Sequence, residues 1–118
     1  MKVFLAGATG AIGNHLVPQL VARGYEVIGM TRSPGKVASL KATGVEAVVA
    51  DGLDRTAVVR AVGEAEPDVV IHQMTGLTGA SDLKKFDDDF ALTNELRTNG
   101  TDHLLEAAKR SGVRRVIV

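Results

Sequence analysis

The segment KVFLAGATGAIG, Lys2 to Gly13, constrains this chain more than any other. Lys2 to Ala6 is a short apolar run of the kind that forms a buried strand. Gly7, Gly10 and Gly13 then fall three residues apart. From Ala11 to Arg23 the apolar residues Ile12, Leu16, Leu20 and Val21 recur at helical spacing, and Gly24 stands where a helix stops. A strand, a tight glycine turn and a helix N-terminus together make an anion site. The first helical turn has unpaired N–H groups and a partial positive charge. Gly7 permits the sharp turn. Gly10 lets the backbone approach a pyrophosphate with no Cβ in the way, and Gly13 lets the helix pack close to the sheet. Thr9 adds a hydroxyl donor. The spacing is G-x-x-G-x-x-G rather than G-x-G-x-x-G, so the flanking strand and helix give the motif its weight. The alternative is a tight turn with no ligand.

The rest of the chain repeats the alternation. Strands are expected at Tyr25–Met30, Val45–Ala50, Asp68–His72 and Arg114–Val118. Between them lie a short helix at Val37–Ala42, a helix capped by Asp54 and running to about Glu64, and a long helix from Phe86 to Arg110. Residues 75–85 read as a polar loop, and Pro18 predicts a kink in the first helix. Strands with apolar runs separated by helices imply an α/β fold, a parallel sheet with helices on both faces. The length of 118 residues fits a single domain, 1–118. Lys and Arg number 14, as do Asp and Glu, and this balance argues against a nucleic-acid partner. No apolar run reaches the roughly 20 residues of a membrane span. The absence of cysteine excludes disulfides and thiolate chemistry. With no export signal, a cytoplasmic location is the expectation.

The motif GATGAIG, the DGLD after the third strand, the VVIHQMTG at the fourth and the closing NGTDHLLEAAKRSGVRRVIV resemble the short-chain dehydrogenase/reductase superfamily. The resemblance is to its extended or atypical kind, which includes NAD-dependent epimerase/dehydratases. It implies a Rossmann-like doubly wound sheet of five strands in the order 3-2-1-4-5, truncated after the fifth. It implies a dinucleotide partner, and a role in hydride transfer between nicotinamide and a carbonyl or alcohol substrate. The alternative is a non-catalytic dinucleotide-binding sensor or module.

The end of the second strand faces the adenosine ribose in such folds. A carboxylate there accepts from the 2′-OH, and an arginine pairs with a 2′-phosphate. Here the residues are Thr31, Arg32 and Ser33, so NADP is preferred over NAD. Arg32 offers two parallel charge-assisted bonds, and Lys36 is either a helper or a surface charge. By the resemblance, Asp51 and Leu53 stand beside the adenine, although Asp51 also fits a turn-forming role. Met74 and Thr75 pass the nicotinamide ribose, where many members carry smaller residues. The expected cofactor-binding set is therefore Gly7, Thr9, Gly10, Ile12, Gly13, Arg32, Asp51, Leu53, Met74 and Thr75.

The family's chemistry uses a Ser or Thr after the fifth strand and a Tyr-x-x-x-Lys on the next helix. The single tyrosine, Tyr25, is followed four residues later by Gly29. No catalytic residue is therefore expected in this chain, which would be inactive alone, its chemistry and substrate pocket lying past Val118. Family members often carry a supporting Asn three residues before the pair Gly100–Thr101. That place holds Arg97, and Asn94, one turn earlier, either substitutes or is an ordinary helix-face residue. His15, His72 and His103 form no metal-ligand spacing, and His72 reads as a packed strand-end residue in preference to a cleft-lining one. Asp87, Asp88 and Asp89 read as dipole partners near a helix N-terminus, and no metal is expected. A fifth strand left at the sheet edge is expected to support a homodimer or aggregates.

Overall fold

The computed structural model describes residues 1–75 and 83–118, without side chains at 83–87 and 89. The elements run β1 (Lys2–Ala6), α1 (Ala11–Ala22), β2 (Glu26–Thr31), α2 (Val37–Lys41), β3 (Glu46–Val49), α3 (Arg55–Ala65), β4 (Val69–His72), α4 (Leu83–Glu95), α5 (Thr101–Ser111) and β5 (Arg115–Ile117). All four strand pairings are parallel, and the sheet order is β3-β2-β1-β4-β5. This is the doubly wound Rossmann-like sheet in the expected order.

The period-two alternation of β1 divides the core in two. Phe4 and Ala6 join Ile28, Met30, Val70, Val58, Val62 and Leu104 on the face covered by α3 and α5. Val3 and Leu5 join Val27, Val69, Ile71, Val17 and Leu40 on the face covered by α1 and α2. The apolar stripe of α1 is Gly13, Leu16, Val17, Leu20 and Val21. Ile12, expected on that stripe, is 59% exposed at the start of the helix. On the other face Arg55 of α3 grips Glu106 of α5 with two guanidinium nitrogens, and Arg110 adds a third contact at 3.1 Å.

Helix ends follow the local chemistry. Asp54 caps α3 by accepting the Ala57 amide at 3.1 Å. At the end of α1 the Gly24 amide donates to the Val21 carbonyl and the Tyr25 amide to the Leu20 carbonyl. This paired closure uses the left-handed Gly24 (φ +85°). It also spends the Tyr25 amide on the helix, so β2 starts one residue later than the apolar pattern predicts. Pro18 lies inside α1, which continues through it to Ala22.

The long helix differs most from its expectation. It starts at Leu83 and not Phe86, so exposed Asp88 stands in its second turn and not at its N-terminus. The polar-loop expectation falls largely on 76–82, outside the described residues. The helix is also interrupted by a π turn, Leu96–Gly100. Side-chain donors reach four carbonyls here, that of Glu95 among them, from the Thr98 hydroxyl at 3.3 Å. Asn94 accepts from the Thr98 hydroxyl at 2.9 Å, Leu96 from His72 at 2.9 Å, and Arg97 from the Thr101 hydroxyl at 2.6 Å. Such competition for carbonyls loosens the regular ladder.

Candidate functional site

The carboxyl ends of β1, β2 and β4 lie level, with Ala6 paired to both Met30 and His72. The chain proceeds from β1 to β2 on one side, and β4 lies on the other. This reversal opens a crevice above the strand ends, the usual ligand position in an open α/β sheet. A recess of about 170 Å³ occupies it.

The glycine loop forms one wall. Gly7 takes φ +85°, and its amide and that of Ala8 both donate to the Met30 carbonyl at 3.2 Å. A Cβ on Gly7 would overlap the Gln73 carbonyl, and one on Gly13 would meet the Gly7 and Ala8 carbonyls, the latter at 2.7 Å. These two glycines are demanded by the protein's own packing. A Cβ on Gly10 would meet no other protein atom nearer than 3.5 Å, and Gly10 lines the recess. There the missing side chain leaves space for something outside the protein. Helix α1 begins just after Gly10 with no side-chain cap, so its first amides have no side-chain acceptor there. An open backbone cradle beside uncapped amides fits the pyrophosphate of a dinucleotide.

The end of β2 forms the next wall. Thr31 is buried, and its hydroxyl lies 3.0 Å from that of Thr9 and accepts the Ser33 amide at 3.2 Å. Thr9, expected as a free donor, is therefore paired across to β2. Arg32, Ser33 and Lys36 line the recess beside this pair. Arg32 and Lys36 are exposed, and neither has an ion-pair partner among the described residues. The acid among the described lining residues is Asp51, after β3. Its Oδ1 accepts the Leu53 amide at 2.9 Å, which makes the turn that the sequence allowed. The next residue, Gly52, is held through its carbonyl by His103 Nδ1 at 3.0 Å.

The far wall consists of Gln73, Met74, Thr75 and Leu96. His72 lies beneath it, 5% exposed. Of the expected set, the structure gathers Gly7, Thr9, Gly10, Arg32, Asp51, Met74 and Thr75 around one recess. Gly13 stands behind the loop as a packing residue. Ile12 is exposed outside the lining, and Leu53 packs on the Phe4 side of the core. Asn94 is exposed and outside the lining as well. Leu96 and Gly52 were not anticipated, because neither carries a local signal for the role. Among the described residues no three His, Asp or Glu side chains come together as a metal site. No helix among them is long and apolar enough to cross a membrane.

A family model described as NAD(P)H-binding matches residues 7–118. A 3-diazoavenalumate denitrifying reductase of a Streptomyces species is 47% identical over 99% of this chain and 36% of its own length. The UDP-glucose 4-epimerase of Thermus thermophilus, solved with NAD, shares 32% identity at a TM-score of 0.78, over 98% of this chain and 36% of that one. A yeast methylglyoxal/isovaleraldehyde reductase, solved with NADPH, shares 26% identity at the same TM-score of 0.78 and over the same shares of the two chains. The chain spans about a third of the length of these relatives.

Proposed function

The chain belongs to the NAD(P)H-binding family, within the short-chain dehydrogenase/reductase superfamily of the epimerase/dehydratase type, and on that footing we propose that it holds NADP(H) for a reductase. The observation that carries the cofactor choice is the end of β2. Arg32 and Lys36 flank the same recess as Gly10, with Thr31 and Ser33 between them and no carboxylate at that strand end. A 2′-phosphate there gains bidentate charge-assisted bonds from Arg32 and a point charge from Lys36. The pyrophosphate lies over Gly7 to Gly10 at the N-terminus of α1. Asp51 accepts from the adenine amine, and the Gln73–Thr75 backbone runs past the nicotinamide side.

The epimerase neighbour carries NAD and the yeast reductase neighbour carries NADPH. The cation pair therefore favours a reductase, as does the 47% identity to the Streptomyces reductase. Bound NADPH would supply the hydride to a carbonyl substrate, and bound NADP+ would accept it from an alcohol. The chain's own residues bind and orient the cofactor. The proton-moving Tyr-x-x-x-Lys pair is not among these 118 residues. A cytoplasmic setting, where NADPH is available, is part of this proposal.

The test is a calorimetric titration with NADPH and then NADH. Tight NADPH and weak NADH are expected, with the preference erased in Arg32→Ala. Equal binding of the two overturns the phosphate argument, and binding of neither overturns the site.

A further inference from the structure

Both nitrogens of the buried His72 ring are committed. Nδ1 lies 3.1 Å from the Met74 amide, which can only donate, so Nδ1 carries no hydrogen. The neutral ring therefore bears its hydrogen on Nε2, which donates to the Leu96 carbonyl at 2.9 Å. One side chain thus ties the end of β4 to two backbone pieces. One is the segment after β4, whose preceding amide, Gln73, is held by the Ala6 carbonyl at 2.8 Å. The other is the π turn. Met74 and Leu96 both line the recess, on its far wall from Arg32. Among the described residues, His72 is the side chain that hydrogen-bonds both residues 73–75 and the π turn.

Resting on the NADP(H) reading, we propose that His72 is a positioning residue for the nicotinamide half of the cofactor: as the Nε2–H tautomer it fixes the Met74 amide and the Leu96 carbonyl, and so the spacing of the wall between them. It touches no cofactor atom. Its effect should fall mainly on that half of the site, because the residues at the end of β2 are held by the Thr9–Thr31 pair and the Ser33 amide.

The experiment pairs two probes, NADPH and 2′,5′-ADP, which has the adenosine half alone. Three variants are titrated with each. His72→Asn keeps an acceptor for the Met74 amide, His72→Gln keeps a donor for the Leu96 carbonyl, and His72→Leu keeps neither. His72→Leu is expected to bind NADPH about tenfold more weakly. The Asn and Gln variants should each recover part of that loss, and 2′,5′-ADP should bind all three within about twofold of wild type. If His72→Leu does not fold, the Asn and Gln pair carries the test. Separately, the ¹⁵N spectrum of the imidazole should show a bare Nδ1 and a protonated Nε2.

Wild-type NADPH affinity in the folded variants overturns the proposal, as does a parallel loss of both ligands, which marks a merely structural role. An Nδ1–H tautomer overturns it too. A wild-type chain that binds neither NADPH nor 2′,5′-ADP defeats the cofactor reading itself and the positioning role with it. Wild-type binding of both with unaffected variants defeats the positioning role alone.

Discussion

Met74 fills the space that a side chain on Gly52 would need. A Cβ there would overlap the Met74 sulfur and come within 2.7 Å of its methyl carbon and 3.1 Å of a Leu96 methyl. The methyl carbon also sits 3.3 Å from where a Cβ on Gly100 would be. Met74 is therefore housed by glycines on two other segments. Gly52→Ala should destabilise the chain by about 1–3 kcal/mol through overpacking. Met74→Ala should cost about 2–5 kcal/mol through the cavity it leaves. Because each change removes the other's problem, the double variant should cost less than the sum by at least about 0.5 kcal/mol. Urea denaturation of the four proteins measures this, and strict additivity would show that the two residues do not share the space.

The pH dependence of stability should carry a signature of His72. Burial pushes its imidazole below the ordinary value of 6.5, the bond to the Leu96 carbonyl works the other way, and the Arg97 cation lowers it again. The unfolded chain takes up a proton near 6.5 that the folded chain still refuses, so the unfolded state binds more protons in that window. The stabilising contribution is complete above 6.5 and is lost as the pH falls through the lower folded value. Protonation of Nδ1 also ends its acceptance of the Met74 amide. Thermal midpoints should therefore decline from pH 6.5 downward more steeply in wild type than in His72→Gln. Equal slopes in the two proteins would place the titration elsewhere.

At the end of β2 the planar fork of Arg32 and the point charge of Lys36 should not be interchangeable. Arg32→Ala is expected to weaken NADPH by about 1.5–3 kcal/mol, the range for hydrogen bonds to a charged group, and to leave NADH unchanged. Arg32→Lys should recover only part of the loss. Lys36→Ala should have a smaller effect that fades with added salt, since an exposed point charge is screened. Titrations at two ionic strengths separate these outcomes. A larger loss for Lys36→Ala would reverse the assigned roles.

Two glycines in one loop should fail in different ways. Gly13→Ala drives a Cβ into the Gly7 and Ala8 carbonyls, backbone atoms that cannot swing aside. It should cost about 1–3 kcal/mol of stability, with binding lost as a consequence. Gly10 has an ordinary φ of −77° and no close protein neighbour. Gly10→Ala should leave the thermal midpoint nearly unchanged and still weaken NADPH at least about tenfold by occupying the cradle. A melting curve beside a titration for each variant decides it, and retained NADPH affinity in Gly10→Ala would mean the pyrophosphate lies elsewhere.

The parts of this fold that were legible in the sequence are those whose causes are local. Lys2–Ala6 reads as a strand and Asp54 as a cap because the determining residues are neighbours. The glycine loop is legible for the same reason. Arg32 reads as a residue at the mouth of the crevice because it follows its strand directly. The misses lie where a distant partner decides. The π turn takes one of its carbonyl partners from His72, 24 residues away. The place of Ile12 outside the buried stripe depends on where the turn leaves the first residues of α1. A one-dimensional pattern holds none of these relations.

The edge formed by β5 should make the 118-residue chain self-associate. β5 is the last strand in the order β3-β2-β1-β4-β5, so among the described residues its outer backbone groups have no strand partner. Ile117 is 44% exposed and Val118 72% exposed. Beside them a groove on the α1 face is lined by apolar Leu20 and Ile117 and by charged Asp68, Arg114 and Arg115. An edge of this kind offers both unpaired amides and apolar side chains to a second copy. Light scattering should show mass rising with concentration, and Ile117→Lys should reduce it, because a lysine on the edge carries its charge into any new pairing. Lysine leaves the strand's backbone pairing with β4 available, so the NADPH affinity of the monomer should be preserved. A monomeric wild type at high concentration would show that the three residues of β5 are too short an edge to recruit a partner.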